Sequence, residues 1–226
     1  MSHFTVAVFS KEPDDVDELL EPFYEAHPAG SPYMEFVEDE RADMDEVAQK
    51  RGYWQNPQGY WDAWSIGGRL CGILRLKPGR LSQHSKHTWA GADLAYPAGR
   101  CTQALVADCD FDPDPDEYAA ALRRWEVLVE GAPLKKDEPV IFSFLRPQYY
   151  IDKYGTKEAY ANHEARVSTY AYITADGRWI APGCMGSFGM DDSTQESQLQ
   201  YNAMFDAYVK QAAEEGLYIT IVDCHI

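Results

Sequence analysis

The closing stretch Tyr218-Ile-Thr-Ile-Val-Asp-Cys-His225 decides the reading of the chain. Four successive β-branched residues, Ile219 to Val222, mark it as a strand. Alternation along a strand puts Ile219, Ile221, Asp223 and His225 on one face. That stripe is apolar until its last two positions, which suggests a rim where a site could sit. At the other end of the chain, His3 to Phe9 (HFTVAVF) is a second strand rich in Val, Phe and Thr. If the two lie antiparallel, His3 falls near Asp223 and His225. Two imidazoles and a carboxylate could then bind a metal or share acid and base roles. The plainer reading is a solvated sheet edge with a His–Asp hydrogen bond, because sequence alone leaves the register open.

Between these ends the pattern alternates strands and helices. Pro13 suits a first helical position, and Val16, Leu19, Leu20 and Phe23 follow at helical spacing, with Pro22 and Pro28 limiting the length. Glu35 to Arg51 is acidic and weakly helical, a surface stretch. Asn56 to Leu76 (NPQGYWDAWSIGGRLCGILRL) reads as two aromatic-rich strands turning at Gly67-Gly68. Residues Lys77 to Arg100 lack periodicity, and a long surface excursion is expected over 77–110. A helix starts near Asp114, with Asp114 as cap, Pro115 in first position, Glu117 at capping-box spacing, a stripe of Tyr118, Leu122, Trp125 and Val129, and Gly131 as its end. Val140 to Leu145 is expected as a short buried strand or extended segment. Two helical pieces, Tyr149 to Tyr154 and Thr156 to Ala165, flank Gly155. Val167 to Ile180 turns at Asp176-Gly177 as a second hairpin. The last helix opens with a Ser193/Glu196 capping box, buries Tyr201, Met204, Phe205, Tyr208 and Ala212, and closes at Gly216. The expectation is an α+β fold in one domain over 1–226. A single antiparallel sheet of about six strands, with adjacent terminal strands and two hairpins, would be covered by helices.

The chain has 226 residues, 45% of them hydrophobic and 25% charged, enough for an extended core. Its formal charge of −17 repels nucleic acid backbones and anionic lipid surfaces, so no direct nucleic-acid partner is expected. No apolar run approaches the ~20 residues a bilayer needs, so no membrane partner is expected either. The N-terminal residues carry no basic or long apolar region, so no secretory signal is expected. Five cysteines (Cys71, Cys101, Cys109, Cys184, Cys224) without a CxxC pair suggest free thiols in a reducing cytoplasm. His84 and His87 read as exposed loop residues rather than zinc ligands.

Three further features bear on chemistry. Asp108, Asp110, Asp112, Asp114 and Asp116 alternate like a calcium loop, but Pro113 and Ala119 stand where that loop needs Gly and Glu. Helix capping and favourable charge at a helix N-terminus explain Asp114, Asp116 and Glu117 more simply. In the Gly67-Gly68 hairpin, Trp61, Asp62, Trp64, Gly67, Gly68 and Arg69 are candidate ligand-binding residues. The tryptophans would offer a stacking platform, the glycines open backbone and Arg69 a fork for phosphate or carboxylate. The alternative is an Arg69–Asp62 pair with core tryptophans. No G-x-S-x-G, P-loop or dinucleotide motif is present and no cofactor is expected. Cys224 alternates away from His225, and Cys184 in Gly183 to Gly186 has no adjacent base.

The opening Met1 to Val6, the N-P…W-D-x-W-x-I-G-G-R block over Asn56 to Arg69, Y-G-T-K-E-x-Y at Tyr154 to Tyr160, S-T-Y-A at Ser168 to Ala171, G-x-M-G at Gly183 to Gly186 and V-D-C-H-I at Val222 to Ile226 keep the order found in a family of bacteriophage and bacterial proteins, which the chain resembles. It departs from that pattern at Leu70, where tryptophan is common, and at Cys184, usually charged. The resemblance implies a phage-encoded accessory protein of the host cytoplasm and brings no activity with it. Three functions remain open. The first is non-catalytic binding of a small anionic or nucleotide-like ligand, as in sequestering a host-defence signal. The second is a metal-assisted or acid–base hydrolase built on His3, Asp223 and His225. The third is an acidic inhibitor of a host protein.

Overall fold

The computed structural model describes residues 3–81, 99–185 and 191–226. His3–Ser10 forms β1 and Tyr218–His225 forms β11, and the two pair antiparallel with His3 opposite His225, Thr5 opposite Asp223 and Ser10 opposite Tyr218. On the far side of β1 lies β9 (Ala171–Ile173), which pairs with β10 (Trp179–Ile180) through a turn whose Gly177 has φ +81°. On the far side of β11, β4 (Ala63–Ile66) pairs with its C-terminal half and β7 (Gln103–Leu105) with its N-terminal half.

Both faces of this six-stranded sheet are covered. On one face Ala7, Phe9, Ile219 and Ile221 pack under Tyr201, Phe205 and Ala212 of α5 (Gln195–Glu215). On the other, Phe4, Val6, Val8, Val222 and Cys224 pack against Val16 and Leu20 of α1 (Val16–Leu20), Phe23 and Trp61. Burial on both faces explains the near-continuous apolar runs of the terminal strands. A separate cluster joins α2 (Pro115–Leu128), α3 (Pro147–Tyr154) and α4 (Lys157–Ala165) through Trp125, Tyr150 and Tyr160. The Asp114 side chain caps α2 by accepting from the Asp116 and Glu117 N–H groups.

The structure departs from the sequence reading in several places. The fold is α+β, but the main sheet is mixed, because β9 runs parallel to β1. A parallel neighbour needs a long crossover, and α2, α3 and α4 supply one between the two strands. Among the described residues two smaller sheets accompany it: β2 (Glu35–Glu38), where weak helix was expected, with β3 (Gly52–Gln55), and β5 (Leu74–Leu76) between β6 (Arg100–Cys101) and β8 (Cys109–Asp110). Gly67-Gly68 is therefore not a hairpin turn. Gly67 and Gly68 have φ +71° and +47°, and a 3-10 turn over Gly68–Leu70 carries the chain from β4 out of the main sheet into that of β5. Within the expected excursion, 82–98 lie outside the described residues, His84 and His87 among them, while Cys101, Gln103, Ala104, Val106 and Cys109 are buried. The capping box of α5 is Thr194 with Ser197 rather than Ser193 with Glu196, and Met204 is exposed.

Val140 to Leu145 is the largest departure. The segment forms no strand, and Val140, Phe142 and Phe144 are 84%, 68% and 94% exposed. A short apolar run cannot by itself specify which surface covers it. Replacing Ile221, fully buried, by alanine is expected to lower stability by about 2–5 kcal/mol. Phe144→Ser should change it by no more than about 0.5 kcal/mol. Urea unfolding monitored by tryptophan fluorescence measures both.

Candidate functional site

The β1–β11 pairing builds the site that the chain ends suggest. Asp223 is only 4% exposed, and a carboxylate at that depth needs its lone pairs filled. His3 Nδ1 donates to its Oδ1 at 2.9 Å, and the Arg69 backbone N–H donates to its Oδ2 at 2.9 Å. The second imidazole, His225, donates from Nδ1 to Asp62 Oδ1 at 2.5 Å, while the Asp62 N–H donates to the His225 carbonyl at 2.9 Å. The two rings meet edge to face with centroids 5.1 Å apart. The result is two His–carboxylate pairs side by side at the end of the central strands, with His3 29% and His225 18% exposed at the side chain.

Gly68 belongs to this arrangement for a steric reason. A Cβ there would lie 2.5 Å from Asp223 Oδ2 and 2.6 Å from Ser65 Oγ, so only glycine lets the turn approach closely enough for the Arg69 N–H to reach the carboxylate. Gly67, whose N–H donates to the Ile221 carbonyl at 2.8 Å, has Cys71 Sγ at 2.8 Å from its would-be Cβ.

The two candidate sets read from the sequence thus meet, though not as a tryptophan clamp. Trp61 is buried in the α1-side core against Tyr24, with Trp64 edge-on at 6.5 Å. Neither indole is a free platform. Within β4, Ser65 lies opposite Asp223, while Trp64 and Ile66 share the other face, opposite Cys224 and Val222. Asp62, just outside the strand, turns to His225 instead of pairing with Arg69. The Arg69 side chain is exposed and has no hydrogen bond or ion pair among the described residues. Among the described residues no three His, Cys, Asp or Glu side chains converge as a cation site would require. Burial pushes the Cys224 thiol up, with Asp223 adding to the effect, so it is no thiolate nucleophile. The alternating aspartates pair with arginines, Asp108 with Arg80, Asp110 with Arg75, and Asp114 with both Arg75 and Arg100.

A cavity of about 260 Å³ opens beside His3. Its lining includes Lys153, His163, Ser168 and Asp191, residues that the sequence reading did not single out. Lys153 Nζ stands 3.4 Å from Asp191 Oδ2, and the Ser193 N–H donates to Asp191 Oδ1 at 3.0 Å. Although burial works to raise it, the Asp191 carboxyl is held below the usual range by Ser193 and Lys153. His163 Nε2 lies 3.2 Å from Ser168 Oγ, while its Nδ1 is buried without a partner among the described residues. These contacts arise from α3, α4 and the segment before α5, so no local spacing announces them. Larger cavities of about 520 and 380 Å³ lie elsewhere, and their arginines are committed to carboxylates, Arg166 to Asp206 and Arg75 and Arg100 to Asp114.

No protein-family model matches the chain, and neither a curated protein nor a solved structure matches it.

Burial, with Lys153 and Arg166 nearby, lowers His163 from 6.5 to about 4. Between those values the unfolded chain takes up a proton that the folded one refuses. Stability from this group is therefore full above about pH 6.5 and falls as pH drops toward 4, by up to roughly 3 kcal/mol. His163→Gln should flatten this part of the acid-side decline relative to wild type in denaturation curves taken from pH 7 to pH 4.

Proposed function

We propose that the protein is an acid–base hydrolase of a small anionic ester, with His3 and His225 as its working groups. One observation carries this reading: each imidazole has Nδ1 held by a carboxylate, which leaves both Nε2 atoms without a hydrogen bond among the described residues on adjacent rings. A carboxylate on Nδ1 fixes the tautomer, orients the ring and stabilises the imidazolium that forms when Nε2 takes a proton. Two such rings can divide the work of hydrolysis. One accepts a proton from water as the water oxygen bonds to the ester centre. The other, protonated, gives its proton to the leaving oxygen as that bond breaks. Arg69, fixed at its backbone to Asp223 and with an exposed side chain that has no partner among the described residues, suits an anionic group on the substrate.

The exposed Arg69 side chain also favours a second reading, capture of an anionic or nucleotide-like ligand without turnover. A panel of nitrophenyl phosphate, bis(nitrophenyl) phosphate, nitrophenyl acetate and cyclic nucleotides separates the two. Hydrolysis is expected with a bell-shaped pH profile, reduced about 100-fold or more by His3→Gln and by His225→Gln. Stabilisation by a nucleotide that Arg69→Ala abolishes, without turnover, supports capture instead. Turnover that ignores both histidine substitutions contradicts the hydrolase.

A further inference from the structure

The extended segment between Pro139 and Pro147 carries much of the apolar surface that the described residues leave uncovered. It is held in place at its middle. The Tyr150 hydroxyl donates to Ser143 Oγ at 2.8 Å, and the Leu145 N–H donates to the same oxygen at 3.0 Å. Tyr150 in turn belongs to the packed cluster of α2, α3 and α4. Ile141 and Ser143 are partly buried, whereas Val140, Phe142 and Phe144 are exposed, the alternation of an extended chain with one face outward. The two phenylalanine rings meet edge to face with centroids 4.8 Å apart, and together with Val140 they form a ridge. Aromatic side chains of this kind bury about 150–250 Å² each, so the ridge offers roughly 500 Å² of apolar surface. A patch of that size lies at the top of what monomers ordinarily expose.

Charge decides which partner fits. The whole chain carries −17, so two copies repel over most of their surfaces. Near the ridge the balance differs, because Lys135, Lys136 and Arg146 stand with only Asp137 and Glu138 between residues 132 and 148. Asp137 and Arg146 are exposed at opposite ends of the ridge, and neither side chain has a partner among the described residues. A two-fold axis near Phe142 sets two such segments antiparallel, and Arg146 of each copy then faces Asp137 of the other. The same patch meets itself, as a two-fold contact requires. A uniformly acidic partner would oppose Asp137, and a uniformly basic one would oppose Arg146 and the two lysines. A second copy opposes neither. Two ridges together cover about 1,000 Å², the lower limit for a specific contact, so the association is weak and reversible.

We infer that the protein self-associates through this ridge as a weak two-fold dimer, with Val140, Phe142 and Phe144 at its centre and Arg146–Asp137 pairs at its ends. The contact uses none of the residues of the hydrolase reading and stands or falls separately from it. Sedimentation velocity on the full chain, from about 1 μM to about 1 mM, should show monomer passing to dimer without larger species. Phe144→Ser should weaken the dimer about tenfold or more while its urea unfolding midpoint stays close to that of wild type. Arg146→Glu should weaken it severalfold by setting two carboxylates face to face. Asp137→Asn on that background should recover part of the loss, since one of the facing charges is gone. A chain that stays monomeric throughout overturns the dimer and leaves the ridge to a different protein. A dimer indifferent to Phe144→Ser overturns it too, because the copies then meet elsewhere. A dimer that Arg146→Glu leaves unchanged rules out the antiparallel two-fold arrangement.

Discussion

A buried carboxylate organises this end of the molecule. Asp223 sits on the second-to-last turn of the pleat in the final strand, shielded from water, and its charge is tolerable only because two donors reach it. One donor comes from the first strand and the other from the glycine turn after β4. Removing a partner from a buried charge typically costs about 3–5 kcal/mol, whereas the isolated attraction is worth much less. The carboxylate therefore makes three distant parts of the sequence interdependent, residues near 3, near 68 and near 223. Gly68 is the enabling element, since any side chain there would occupy the space that Asp223 needs.

The terminal strands and their partnership were legible in the sequence because both carry β-branched and aromatic runs long enough to exclude a helix. Their polar ends fall on one face by alternation alone. The register was not legible, since slippage changes which residues meet without changing the pattern. The helix start at Asp114 followed from capping chemistry, and Gly216 ended α5 in the left-handed conformation, as a C-terminal glycine does. The Gly67-Gly68 ribbon misled because positive φ at two successive glycines serves a hairpin and an exit from a sheet equally well. Only the neighbours of β5, absent from any local window, decide between them. Val140 to Leu145 misled for the same reason in reverse: its apolar residues promise burial, and nothing local supplies the surface to bury against.

The candidate chemistry divides along the same line. His3, Asp223 and His225 were legible because strand geometry brings them together by simple rules. Asp62 was named as a candidate, but its partner is His225 across the sheet rather than the Arg69 of the alternative reading. Lys153, His163, Ser168 and Asp191 carried no signal, because their proximity depends on how α3 and α4 pack beside the sheet.

The central claim is the side-by-side placement of the two His–carboxylate pairs at the joined chain ends. Solution NMR of the imidazole rings tests it most directly, by observing magnetisation transfer between ring protons of His3 and His225. The account predicts cross-peaks between the two rings and a slowly exchanging Nδ1 proton on each, both lost from His3 when Asp223 is replaced by Ala. Rings without a mutual cross-peak, each exchanging freely with water in the folded protein, would contradict it.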